Sequence, residues 1–182
     1  SGKMKELKKI LLTQLGLGGG NDQMRNRALL FAQSSKTLNI VKEIVLDNLE
    51  GVTYDFFDGR VSERDRPLVL DRFNRDDGPD LLLLTTQIGG LGLNLQVANN
   101  VIFLENSWNF TDDEQAMARA HRMGQKRTVT VFNLITSGTI EQRILVVQQN
   151  KRNMVNTIIN EDNVQANADL SVMQDSFITD DK

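Results

Sequence analysis

The chain has 182 residues, 40% of them hydrophobic, and a formal net charge of −3, enough apolar material for one sizeable core and a further stretch. It contains no cysteine and a single histidine, His121, which excludes a disulfide framework, a structural zinc site and a thiol nucleophile. No apolar run approaches the ~20 residues of a membrane-spanning helix and the first residues lack the apolar core of a signal peptide, so a soluble, intracellular protein without a membrane partner is expected.

Charge is unevenly distributed. Residues 161–182 carry six acids and one base, a balance of −5, which leaves 20 bases and 18 acids, or +2, for the first 160. A body so mildly basic binds phosphate only through a local patch, because no global field steers it.

Along the chain, Met4, Leu7, Leu11 and Leu15 stand close to helical spacing with lysines between them, and the glycine-rich stretch 16–20 stops the pattern. An amphipathic opening helix and connector over 1–24 follow. Apolar runs at 28–32, 52–57, 81–84, 101–104 and 129–135 predict strands, with helices at 35–49, 64–75 and 112–123. Strands alternating with helices, and runs as apolar as Leu81-Leu82-Leu83-Leu84, predict a three-layer α/β domain with a parallel sheet buried on both faces, spanning 25–138. Past Gly138-Thr139 a brace helix is expected over 139–160, with Ile140, Ile144, Val147, Lys151, Met154 and Ile158 along its packed face. The acidic stretch 161–182 is poor in apolar residues and is expected to be flexible or to dock on a partner.

In such a sheet the loops following the strands share one edge, where ligands bind. Those loops read Gln33-Ser34-Ser35, Asp58-Gly59-Arg60, Thr85-Thr86-Gln87-Ile88-Gly89-Gly90 and Glu105-Asn106-Ser107-Trp108-Asn109. Polar loops occur in any α/β protein, so this alone leaves function open.

The densest local pattern lies between Thr111 and Gln125. Thr111 and Glu114 have capping-box spacing, acids fill the first turn and Gly124 supplies the stop. Gln115, Arg119 and Arg122, at i, i+4 and i+7, share one face, while Ala116 and Ala120 leave the adjacent face small enough for close packing. Two planar guanidiniums presented together suit charge stabilisation on a transferring phosphoryl group, although a solvated charged face is the usual reason for arginines on a helix.

The run Gln115-Ala116-Met117-Ala118-Arg119-Ala120-His121-Arg122-Met123-Gly124-Gln125 resembles the last motif of superfamily-two helicases in its Swi/Snf version, Q-A-x-D-R-x-H-R-x-G-Q. Ala118 departs from it, removing a carboxylate beside the first arginine. Thr85-Thr86-Gln87-Ile88-Gly89-Gly90-Leu91-Gly92-Leu93-Asn94-Leu95 resembles the S/T-T-x-x-G-G-x-G-x-N-L motif of the same family. Asp58-Gly59-Arg60 is similar to its D-G-S/T turn, with Arg60 at the small hydroxyl position, and Trp108-Asn109 to its W-N-P element, with Phe110 in place of proline.

The resemblance covers nearly all of residues 1–160. It implies the C-terminal RecA-like lobe of a DNA-translocating ATPase, with Arg119 and Arg122 as arginine fingers. Gln115, Gly90, Leu91 and Gly92 are then on the ATP side, and Gln33, Ser34, Gly59, Arg60, Thr85, Thr86, Trp108 and Asn109 on double-stranded DNA. His121 is assigned to packing, and no metal ligands are expected here. ATP and Mg2+ are expected to be held mainly by a separate N-terminal RecA-like lobe, without which this lobe is inactive; Ser1-Gly2-Lys3 is no phosphate loop. Within the class, Ser1-Gly2-Lys3-Met4, the Thr85-Thr86 pair and the ending Arg152-Asn153-Met154-Val155-Asn156-Thr157-Ile158-Ile159-Asn160 are similar to the subfamily that removes TATA-binding protein from promoters, which implies that partner and a nuclear location. A nucleosome-remodelling motor, and a non-catalytic α/β module that binds DNA or protein, are the alternatives.

Overall fold

Every residue of strands β1 (Ala28–Ala32) and β3 (Leu81–Thr85) is buried, so these two form the middle of the fold. The computed structural model describes residues 2–14, 16, 25–89, 93–107, 110–120, 127–162 and 177–178. Five parallel strands stand in the order β2-β3-β1-β4-β5, with β2 at Tyr54–Phe57, β4 at Asn100–Phe103 and β5 at Thr130–Asn133. The register runs straight across: Tyr54 pairs with Leu81, Leu81 with Ala28, Ala28 with Asn100, and Asn100 with Thr130.

Because side chains alternate across a strand, each strand feeds two apolar layers. On one face Leu30, Leu81, Leu83 and Ile102 pack with Leu7, Ile10 and Leu11 of α1 (Gly2–Lys9) and its π-helical extension Ile10–Gln14, and with Leu38 and Val41 of α2 (Ser35–Ile44). On the other, Leu29, Phe31, Leu82, Leu84 and Phe103 pack with Phe73 of α3 (Arg66–Asn74), Ile88 of α4 (Thr86–Gly89), and Ala116 and Ala120 of α5 (Phe110–Ala120). Phe31 and Phe103 stack across the β1–β4 seam with centroids 5.3 Å apart. This is the expected three-layer α/β domain.

Element boundaries shift for local reasons. The helix expected over 35–49 bends at Val45, and the chain continues as a 3₁₀ turn, Leu46–Asn48. The apolar run 129–135 divides into β5 and a short β6 (Ile135–Thr136), which pairs with β7 (Phe177–Ile178). Gly138 then takes φ 74°, a left-handed conformation that lets the chain turn into α6 (Ile140–Asp162).

The packed face of α6 is not the expected one. Ile140 is 54% exposed and Val147 and Lys151 are also exposed, whereas Ile144, Leu145 and Gln148 are buried. A polar side chain, Gln148, shares the buried stripe, and this rotates the face by about a residue from a purely apolar reading. The helix packs against α5 and β6. The side chains of Met154 and Ile158, and most of the acidic stretch 161–182, lie outside the described residues.

Between α3 and β3 the chain turns sharply at Gly78. A Cβ added there would lie 2.2 Å from the Arg72 carbonyl oxygen and 3.0 Å from those of Phe73 and Arg75. Gly78→Ala is therefore expected to lower stability by about 1–3 kcal/mol. In urea unfolding the midpoint should fall with the slope unchanged; an unshifted midpoint would show that the turn accommodates a side chain.

Candidate functional site

At the carboxyl edge of the sheet, the ends of β1 and β4 are tied together. The Gln33 backbone amide donates to Glu105 Oε2 at 3.0 Å, and the Gln33 side-chain amide donates to the Asn106 carbonyl at 2.6 Å. Next to it Ser34 caps α2, its Oγ accepting from the Thr37 amide at 3.2 Å. This is the seam at which the chain reverses direction across the sheet, β2 and β3 lying to one side of β1 and β4 and β5 to the other. Open α/β sheets bind ligands in that crevice.

The loop after β2 is built around Asp58, which is 0% exposed. Its Oδ1 accepts the Arg60 backbone amide at 3.0 Å, and its two oxygens receive Arg60 Nε at 3.0 Å and Nη2 at 2.6 Å. Arg60 also donates through Nη1 to Asn39 Oδ1 at 2.8 Å, and its guanidinium carbon lies 4.7 Å from the Phe56 ring centroid. Burial pushes the Asp58 carboxyl upward, but the bonds from Arg60 and Ser35 outweigh burial and hold it below the ordinary carboxylate range. Arg60 thus folds back on its own turn instead of reaching freely into solvent. Its three engaged N–H groups leave two of the guanidinium's five. Gly59, between them, is exposed, and a Cβ there would meet nothing within 4 Å.

Thr85 and Thr86 close β3 and open α4, and both are buried. Gly90, Leu91 and Gly92, and likewise Trp108, Asn109, His121 and Arg122, lie outside the described residues.

Helix α5 rises from the loop after β4. It begins at Phe110, which places Thr111 in the first turn, and a different acid anchors its start. Asp113, 4% exposed, accepts the Ser107 backbone amide on both carboxylate oxygens at 3.2 Å, and Ser107 Oγ donates to Asp112 Oδ2 at 3.0 Å. Asn106 Nδ2 donates to Asn133 Oδ1 at 3.0 Å and, at 3.4 Å, to Asp113 Oδ2. Burial dominates the Asp113 carboxyl and raises it above the ordinary range, although Gln148, Ser107 and Asn106 all oppose the shift by hydrogen bonding. Ala116 and Ala120 seat the helix on the sheet, Gln115 faces solvent, and position 119 follows Gln115 by one turn. The Arg119 side chain lies outside what the structure describes. Sequence reasoning missed Asp113, Asn133 and Gln148, which look like ordinary polar positions until the fold brings them together.

Among the described residues no group of three or more Asp, Glu or His side chains is placed to hold a metal ion, and no helix is long and apolar enough to cross a membrane.

Residues 2–124 match the helicase conserved C-terminal domain. TATA-binding protein-associated factor 172 of Homo sapiens is 44% identical over 170 residues, which is 88% of this chain and 9% of that protein. TATA-binding protein-associated factor MOT1 of Saccharomyces cerevisiae is 46% identical over 140 residues, 76% of this chain and 8% of that protein. Both are therefore far longer, the chain spanning under a tenth of their length. Among solved structures, the C-terminal part of the Fun30 ATPase domain is similar with a TM-score of 0.69 and 35% identity, over 81% of this chain and 45% of that one.

The Asp58–Arg60 pair predicts a pH signature. The folded carboxyl titrates below its unfolded value, so its stabilisation is present above the ordinary carboxylate range and is lost as pH falls through the depressed value. Arg60→Met leaves a buried carboxylate unpaired and is expected to cost about 1–3 kcal/mol at neutral pH, less than for a fully buried pair because the Arg60 side chain is 48% exposed. Unfolding measured as a function of pH should show that deficit shrinking below about pH 4; a deficit independent of pH would contradict the ion-pair account.

Proposed function

Because the chain belongs to the helicase conserved C-terminal domain family, as a C-terminal RecA-like lobe of the Swi/Snf type, we propose that it is the arginine-bearing half of an ATP-dependent double-stranded-DNA translocase. The motor acts in the nucleus and removes TATA-binding protein from promoter DNA. One observation carries the motor reading: α5 starts from the carboxyl edge of the sheet, beside a seam of polar strand ends, with Gln115 exposed and Arg119 one turn on. The promoter-clearing load is supported by relatives at 44–46% identity that are TATA-binding protein-associated factors.

In this reading residues 25–138 form the motor lobe and 1–24 its entry helix and connector, while 139–160 brace it and 161–182 form an acidic tail. ATP sits on an N-terminal RecA-like lobe outside this chain, and the Mg2+ held there neutralises phosphate charge. From this side Arg119 and Arg122 reach the γ-phosphate, and Gln115, Gly90, Leu91 and Gly92 line the cleft. Their forks stabilise charge that develops as the terminal phosphoryl group is transferred to water. DNA runs along the same edge, over Gln33, Ser34, Gly59, Arg60, Trp108 and Asn109, with Thr85 and Thr86 beneath. Gly59 lets a phosphate approach the backbone closely, since nothing of the chain itself fills the space a side chain would take. Closing and reopening the two lobes about the nucleotide, while both grip one strand, moves the motor along the duplex.

In the full-length protein, Arg119→Ala is expected to reduce DNA-stimulated hydrolysis by about 10³-fold or more with nucleotide binding intact. Normal turnover would remove the finger assignment. The lobe alone should not hydrolyse ATP, and mixing it with the N-terminal lobe should restore activity. Release of TATA-binding protein from DNA, set against sliding of a nucleosome by the same preparation, identifies the load.

Gly59→Ala should leave stability within about 0.5 kcal/mol and weaken DNA binding measurably. Unchanged DNA affinity would place the duplex elsewhere.

A further inference from the structure

The buried face of α6 includes a polar side chain that reaches into the site. Gln148, 6% exposed, donates through Nε2 to the Ser107 carbonyl at 2.5 Å and to Asp113 Oδ2 at 2.9 Å. Those two acceptors belong to different elements: Ser107 to the loop that leaves β4, Asp113 to the first turn of α5. The same carboxylate receives the Ser107 amide, so the loop, the start of α5 and the middle of α6 close into one hydrogen-bonded junction. Both N–H groups of the Gln148 amide are consumed in it. Burial leaves water no easy way to replace them, so loss of the amide takes one donor from a carboxylate that is already costly to ionise.

Asp113 lies six positions before Arg119, about 9 Å along the helix axis. Between them Ala116 seats α5 on the apolar layer beneath, and a short packed helix transmits movement at one end to the other as a rigid body. Seven positions before Gln148, α6 is fixed a second time: Glu141 accepts Lys3 Nζ at 2.5 Å and, through its other oxygen, the Thr136 amide at 2.8 Å. Helix α6 is thus anchored at its first turn and linked at mid-length to the arginine helix.

We propose that Gln148 and Asp113 are positioning residues for catalysis, fastening the arginine helix to α6 so that the setting of α6 determines where position 119 stands. This rests on the finger reading of Arg119. Misplacing a catalytic group by about 1 Å can cost about 10²-fold in rate without loss of substrate binding.

The test uses the full-length protein and follows DNA-stimulated ATP turnover, the KM for ATP, DNA affinity and thermal stability together. Gln148→Ala is expected to lower kcat about 10- to 100-fold, with KM and DNA affinity within about twofold. Gln148→Glu, which sets a second carboxylate against Asp113, should be at least as damaging. Combining it with Asp113→Asn exchanges amide and carboxylate across the contact and should recover about tenfold or more over either single variant. Normal kcat in both Gln148 variants, where Arg119→Ala is inactive, overturns the inference and leaves the finger reading standing. So does a loss that follows thermal stability alone and is not recovered in the exchanged pair. An active Arg119→Ala removes the finger reading itself, and this inference with it.

Discussion

A parallel sheet covered on both faces has one place left for polar chemistry, the edge where its strands end. Burial of β1 and β3 along their whole length commits the neighbouring helices to the faces, α1 and α2 on one and α3, α4 and α5 on the other. Each chain reversal must then cross the carboxyl edge before entering its helix. The straight register places those reversals side by side, and residues remote in sequence meet there: Gln33 with Glu105 and Asn106, Asn106 with Asn133, and Ser107 with Gln148.

Two aspartates at this edge show how environment divides identical groups. Asp58 is enclosed by the Arg60 guanidinium and amide and the Ser35 hydroxyl, and its carboxylate form is favoured despite complete burial. Among the described residues the donors to Asp113 are neutral, with Asp112 nearby, and burial wins. The first arrangement stabilises a turn against change. The second holds a helix by bonds that weaken sharply when any one donor moves, because a buried carboxylate tolerates few substitutes.

The fold class was legible in the sequence because its signals are local and strong. Leu81-Leu82-Leu83-Leu84 has no polar face, and a strand buried on both sides is its simplest reading. The small residues Ala116 and Ala120, one turn apart, announced the packed face of α5. The face of α6 was not legible by the same rule, since a hydrophobic periodicity favours Val147 over its neighbour Gln148. What decides between them is a demand made 35 residues earlier by Asp113. The pairing of Arg60 was not legible for a related reason: nothing in the sequence shows that Asp58, two residues before it, is buried and in need of a cation. A polar side chain's partner is a property of the folded chain, and only the apolar part of the pattern is written in single elements.

The link between Lys3 and Glu141 joins positions 138 apart. During synthesis the first helix emerges long before its anchor exists, and the strands against which Leu7, Ile10 and Leu11 pack follow it too. For that interval its greasy side is uncovered, and contacts spanning so much of a chain form slowly because the intervening loop must first be closed. The apolar side of α1 thus has no complete cover until its partners from β1 to Leu134 have been made, and a chain in that state is prone to stick to its neighbours.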